Sequence, residues 1–159
     1  MSAIGFEHHD HARCIASTLA RAEAECAEKG LKFTPVRRRS LEILLREHRA
    51  LGAYDLLAAL GKDGHSAQPP VAYRALDFLV SAGFAHKIEQ LNAYIACSHL
   101  GDDHTPAFLI CRDCRAVAEA DATAVETRLD IAAQAAGFRI ERTVVEAEGL
   151  CPSCQEAQQ

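Results

Sequence analysis

Residues 69–83 read Pro69-Pro70-Val71-Ala72-Tyr73-Arg74-Ala75-Leu76-Asp77-Phe78-Leu79-Val80-Ser81-Ala82-Gly83, and this stretch decides the fold. Proline opens it at a position where the missing N–H would be unpaired anyway, and glycine closes it, which is the punctuation of a helix. Ala72, Leu76 and Leu79 fall on one side with Phe78 adjacent, while Tyr73, Arg74 and Asp77 face elsewhere. The expected helix has an apolar underside and a polar crown compatible with a DNA groove. Two extended runs follow, residues 84–90 and 92–97, around a short turn at Leu91-Asn92, and read as a β-hairpin.

Upstream, the same signals mark three more helices. Residues 11–29 carry Ile15, Leu19, Ala22 and Cys26 on one stripe, with Gly30 as the stop. Thr34-Pro35 supplies a cap and a proline at the first helical position. Leu41, Leu44, Leu45 and His48 form the inner face of the helix that starts there, and Arg37, Arg38 and Arg39 lie near its beginning. Residues 53–60 give a short third helix closed by Gly61, and a polar loop, 62–68, leads into the quoted stretch. This order, ending in a recognition-like helix and a hairpin, is that of a winged helix-turn-helix, whose second helix of the turn enters the major groove while the hairpin touches the backbone. Tyr73 and Arg74 are therefore expected on DNA, with Arg37 and Arg38 beside them; ordinary exposed surface is the competing account.

Composition narrows the classes. Of 159 residues, 49% are hydrophobic and 25% charged, the balance of a soluble globular protein rather than a disordered one. No apolar run is long enough to span a bilayer and the first ten residues lack a signal-peptide pattern, so no membrane partner and a cytoplasmic location are expected. The net charge of −5 conceals an asymmetry: residues 1–96 hold 12 Lys/Arg against 11 Asp/Glu, whereas residues 97–159 hold 5 against 11. Within the first part, residues 29–49 carry seven basic side chains and two acidic ones. Two modules with different partners, one of them nucleic acid, would explain this, and so would a solvated helix face.

Seven cysteines, an odd number, argue against a disulfide framework. Four form two C-x-x-C pairs, Cys111-Arg112-Asp113-Cys114 and Cys151-Pro152-Ser153-Cys154. Each pair turns two sulfurs toward one point, and two such knuckles make the closed tetrahedron of a structural zinc site. Redox chemistry competes, but a thioredoxin-like pair opens a long helix. Only five residues follow Cys154, which leaves no room for one, and the first pair sits at the turn of an expected hairpin. Iron in the same four-thiolate geometry stays open on spacing alone. Of the other cysteines, Cys26 belongs to the core stripe and Cys14 has no evident partner.

The remainder, residues 97–159, reads as a small α+β unit: strands over 107–110 and 116–120, a helix over 123–136 stopped by Gly137, and a strand over 138–146 leading to the second knuckle. It is too small to stand confidently alone, and a dimer would complete its core. Four further donors lie between the hairpin and this unit, namely His86, Cys97, His104 and Glu119. One thiolate, two imidazoles and one carboxylate satisfy tetrahedral zinc and leave no open position for a catalytic water, and the thiolate favours zinc over iron(II) or manganese. Each residue also has a mundane explanation taken singly. His99, Asp102 and Asp103 are spare donors in the same loop, and His8, His9 and His11 cluster near the start of the chain. No nucleophile–base pair is evident, so neither an enzyme nor a small-molecule substrate is expected.

Six segments together resemble the ferric uptake regulator (Fur) family, and within it the zinc-responsive branch: Ala53-Tyr-Asp-Leu-Leu57, Pro70-Val-Ala-Tyr-Arg-Ala-Leu-Asp-Phe-Leu79, Gly83-Phe-Ala-His-Lys87, Tyr94-Ile-Ala-Cys97, Phe108-Leu-Ile-Cys-Arg-Asp-Cys114 and Gly149-Leu-Cys-Pro-Ser-Cys154. The resemblance implies a homodimeric, zinc-dependent transcriptional repressor of zinc uptake genes that binds palindromic operator DNA. It implies a winged-helix DNA-binding domain over 1–95 and a dimerisation and metal-binding domain over 96–159. Two zinc ions per protomer follow from it, a structural one on Cys111, Cys114, Cys151 and Cys154 and a regulatory one on His86, Cys97, His104 and Glu119, with Tyr73 and Arg74 as DNA readers. Where many relatives carry a histidine run after the sensory cysteine, this chain has Ser98-His99-Leu100-Gly101-Asp102-Asp103-His104, and residues 123–136 hold no histidine, so a third site is not implied. Arg115 stands where a glycine is common. A thiol-redox sensor, a zinc store, or a Fur-type regulator of iron, manganese or nickel are the alternatives; Cys97 argues against the last.

Overall fold

The computed structural model describes residues 6, 11–47, 49–65, 68–101 and 104–158, so His8, His9, His48, Asp102 and Asp103 lie outside the described residues. The chain divides into two compact units with the break after Gly101.

In the unit before the break, α1 (His11–Glu28), α2 (Pro35–Arg46), α3 (Ala53–Lys62) and α4 (Pro69–Ser81) precede a hairpin of β1 (Ala85–Ile88) and β2 (Ala93–Ala96). The α2 start follows its sequence signal: the Thr34 hydroxyl accepts the Arg37 N–H at 3.4 Å, and Pro35 is the first helical residue. The third helix does not stop at Gly61 as expected but runs to Lys62. Gly64, at φ +83°, takes the left-handed step, and the His65 N–H closes the end on the Leu60 carbonyl at 3.1 Å. One core joins all six elements, with Leu19, Ala22, Cys26, Leu41, Leu44, Leu56, Leu60, Leu76, Leu79 and Phe84 all nearly excluded from solvent. A feature without local signal completes the wing: Leu51, ahead of α3, exchanges both backbone hydrogen bonds with Tyr94 at 2.8 Å. The hairpin is thereby tied to the helices through main chain, which holds for any side chain at those positions.

The second unit orders its strands β4-β3-β5, where β3 is Pro106–Cys111, β4 Val117–Asp121 and β5 Val145–Gly149. β3 is antiparallel to β4 and parallel to β5, the crossover carrying α5 (Thr123–Ala135). The expected strand over 138–146 is displaced: residues 138–144 are irregular and the strand runs from Val145 to Gly149. Alternation of apolar residues in 138–144 mimics a strand, but β3 offers pairing only from Ala107 opposite Val145 to Cys111 opposite Gly149. A second departure is the short helix α6 (Pro152–Glu156), which contains Cys154 where no helix was expected. Pro152 at its first position presets the backbone. No residue of α5 is buried, and no described helix is long and apolar enough to cross a membrane.

Candidate metal centre and nucleic-acid interface

The sheet register brings the two cysteine knuckles together. Cys111 ends β3 opposite Gly149, and the Arg112 N–H donates to the Gly149 carbonyl at 2.9 Å, so the chain after β5 passes beside the β3–β4 turn. That turn places Arg115 at φ +63°, a strained conformation for a non-glycine residue. Cys114 projects from the turn, Cys151 precedes α6 and Cys154 lies within it. Their four sulfurs lie within 4.8 Å of one another, with Cys114 and Cys151 Sγ 3.6 Å apart. A tetrahedral zinc with bonds of about 2.3 Å has sulfur–sulfur edges of about 3.8 Å. The donor set therefore fits zinc.

The electrostatics of the four sulfurs make that fit depend on pH. The backbone N–H groups of Cys114 and Cys151 pull the Cys111 thiol down to about 6. Hydrogen bonding with the Cys151 thiol, and then burial, push Cys154 up to about 12. At Cys114 the Ala116 N–H favours the thiolate, but burial together with the Cys111 and Cys151 sulfurs outweighs it and the thiol is raised. Near pH 7.5 the cluster holds a thiolate at Cys111 and protonated sulfurs at Cys114 and Cys154. Filling the site is expected to release at least two protons, so zinc affinity climbs steeply as pH rises from about 6 to 8. Calorimetric titration in buffers of different ionisation enthalpy counts those protons; a count of zero would contradict the assignment.

The other four predicted donors form two pairs, one in each unit. In the second, His104 Nε2 and Glu119 Oε1 are 2.7 Å apart, and Glu119 is 2% exposed on β4, opposite Phe108. In the first, His86 lies on β1 opposite Ile95, and Cys97 follows β2 with its N–H on the Phe84 carbonyl at 2.9 Å. Their donor atoms lie within 4.8 Å of each other. The Cys97 sulfur also accepts the His99 N–H at 3.4 Å, a contact the sequence does not signal because the donor is backbone. The His99 ring itself meets the Ser98 hydroxyl, Nδ1 to Oγ 3.1 Å.

On α4, Tyr73, Arg74 and Asp77 are exposed over a buried face of Ala72, Ala75, Leu76 and Leu79. The basic stripe is more heavily engaged than its charge count suggests. The Arg37 guanidinium lies 3.9 Å over the Phe78 ring and donates to the Lys32 carbonyl, which fastens the start of α2 to α4. Arg38 pairs with Glu23 of α1; Arg39 pairs with Asp63 at 2.6 Å and Glu42 at 3.0 Å; Arg46 and Lys29 pair with Glu42 and Glu25. Asp63 sits below the usual carboxylate range because Arg39 donates to it. Tyr73 and Arg74 are thus the better-presented members of the expected set.

Comparison with known proteins follows the same lines. The sequence profile of the ferric uptake regulator family matches residues 28–148. The zinc uptake regulation protein of Escherichia coli K12 is 43% identical over 142 residues, 88% of this chain and 82% of that protein. A solved zinc uptake regulator complexed with zinc and DNA superposes with a TM-score of 0.87 at 40% identity, covering 91% of this chain and 97% of its own. The crystal structure of holo XcZur gives 0.79 at 36% identity, covering 88% and 98%.

Proposed function

The chain belongs to the ferric uptake regulator family, and on that premise we propose that it is a zinc-responsive transcriptional repressor. In this reading it acts as a homodimer, binds palindromic operator DNA when zinc-loaded and controls zinc uptake genes. The observation that carries it is the donor chemistry of the two ligand pairs, His86 with Cys97 in one unit and His104 with Glu119 in the other. Likeness to a relative complexed with zinc and DNA over nine-tenths of the chain supports it.

Zinc held by these residues would supply a redox-inert cross-link between ligands rather than a catalytic centre. His86 and Cys97 would hold it from the hairpin and the chain just after it, and His104 and Glu119 from the sheet unit, so engagement of all four would fix the angle between the DNA-binding unit, which ends at Gly101, and the dimerisation unit that follows. In a dimer this sets the two α4 helices at a spacing matched to two half-sites. With the ligands disengaged the units sample many angles, and a fraction of dimers is competent at any moment. Cys111, Cys114, Cys151 and Cys154 would hold a second ion in each protomer as a structural clamp. Dimerisation through the sheet unit is supported by the apolar surface it presents: Val125, Leu129, Ile131, Phe138 and Val144 are each 43–66% exposed.

Tyr73 and Arg74 read DNA, and Arg37 and Arg38 reach phosphates only by giving up their contacts with Phe78 and Glu23. Arg74→Ala is accordingly expected to cost about 1–3 kcal/mol of operator binding at a base-edge contact, measured by fluorescence anisotropy; unchanged affinity would remove Arg74 from the reading surface. The function as a whole is tested by capturing fragmented genomic DNA on the purified protein across a chelator-buffered zinc series. Enrichment of a shared palindrome as free zinc rises is the expected result. Enrichment that follows thiol oxidation at constant zinc, or none from folded protein, overturns the reading.

A further inference from the structure

The chain that leaves the hairpin is hooked back onto the first helix. After Cys97, Leu100 turns inward to 4% exposure and joins the core cluster that contains Leu19, Ala22 and Cys26 of α1. The Arg21 guanidinium, also on α1, donates to the Leu100 carbonyl across 79 positions of sequence. Gly101 then takes φ +85°, and a Cβ there would stand 3.3 Å from Arg21 Nη2. Any side chain at 101 would therefore meet both backbone strain and the arginine.

Arg21 has an obvious alternative partner. Glu25 lies one turn along α1, where ion pairing on a helix surface is the default, and both residues line the same open groove. Yet Lys29 takes Glu25 at 2.5 Å, and Arg21 reaches for a main-chain carbonyl in a distant loop. A bond to backbone fixes the course of the loop whatever its side chains are.

We propose that Arg21 and the Leu100–Gly101 turn are positioning elements for the sensory thiolate: they hold residues 97–101 in the conformation that presents Cys97 beside His86, with the His99 N–H already directed at the sulfur. The inference rests on Cys97 being a zinc ligand, as the preceding section reads it. An N–H aimed at a thiolate stabilises its charge, and a loop ordered beforehand costs no ordering entropy when the ion arrives. The first helix thereby acts on a metal ligand through the loop that carries it.

The test uses the full-length protein with Arg21→Met, Arg21→Lys, Gly101→Ala and, as control, Cys97→Ala. Zinc is titrated against a chromophoric chelator, cobalt(II) substitution reads the sulfur-to-metal charge-transfer band, and amide exchange is followed in the metal-free protein. Arg21→Met and Gly101→Ala are expected to weaken one of the two ions about tenfold or more, to reduce the cobalt–thiolate band at that ion, and to speed exchange at residues 97–101 alone. Arg21→Lys, which keeps a donor, is expected to recover part of the affinity. Wild-type affinity in both Arg21→Met and Gly101→Ala, while Cys97→Ala loses an ion, overturns the positioning role. Faster exchange throughout residues 11–101 also overturns it, because the arginine would then serve stability generally. If Cys97→Ala retains both ions, it is the reading of the sensory site that fails.

Discussion

Cys111→Ala is expected to release one zinc ion and unfold the second unit while the first stays folded. The reason lies in how little that unit buries. Phe108, Ile110 and Val117 are its large buried apolar side chains among the described residues, joined by Ala107, Ala118, Ala122 and two of the cysteines. α5 buries nothing, and β5 is half-buried at Val145 and Glu146 and exposed from Ala147 to Gly149. Small domains of this kind depend on metals or on a partner subunit for a large share of their stability. A structural zinc contributes about 10–16 kcal/mol of apparent binding energy at neutral pH in small zinc-dependent folds. Three remaining thiolates would leave an open, weaker site at the point where β3, the β3–β4 turn and α6 converge. The core around Leu41, Leu56, Leu76 and Phe84 is built from other residues, so α1–α4 persist. Far-UV circular dichroism should show a partial loss of helix, metal analysis one ion fewer, and sedimentation a monomer or aggregate. A stable dimer with full zinc content would refute the clamp.

Legibility followed the range of the interaction. α2 was readable because its cap, its proline and its apolar stripe all lie within twelve residues, and the structure uses each of them. The C-x-x-C pairs were readable for the same reason, since a two-residue gap constrains both sulfurs locally. Failures occurred where a distant partner decides. Residues 138–144 alternate like a strand but have no pairing partner there, because β3 matches only the five positions from Val145 onward. The basic stripe reads as a nucleic-acid footprint, and what the sequence does not display is that Glu23 and Asp63, 15 and 24 positions away from Arg38 and Arg39, neutralise part of it. His104, in the loop ahead of β3, meets Glu119 on β4 across 15 positions of sequence, a contact that no spacing rule contains. Donor chemistry makes them candidates, and likeness to a family is what groups them with His86 and Cys97 as one site. The Arg21 contact with Leu100 was invisible for a further reason, since its acceptor is a backbone carbonyl that every residue possesses.

Cys97→Ala is expected to abolish zinc-dependent operator binding in a protein that still folds, dimerises and holds one ion per protomer. Cys97 is 3% exposed, so the substitution removes one atom from a buried residue, and the hydrogen bond that holds it to Phe84 comes from backbone and survives. What is lost is ligand chemistry. Two imidazoles and a carboxylate without the thiolate bind zinc more weakly and relax the preference against harder ions. A ligand shifts a conformational equilibrium only through its differential affinity for the two arrangements. If the metal-free dimer is competent about 1% of the time, operator affinity at saturating zinc should fall about a hundredfold, to its zinc-free level. Anisotropy with operator DNA in zinc buffers measures the fall, and metal content measured alongside separates the two sites. Cys111→Ala loses an ion and the fold of one unit, whereas Cys97→Ala loses an ion and the response alone. An unchanged zinc response in Cys97→Ala would place the sensor elsewhere. A response shifted to higher zinc without being abolished would show that His86, His104 and Glu119 suffice to couple the two units, and that the thiolate sets the threshold rather than the switch.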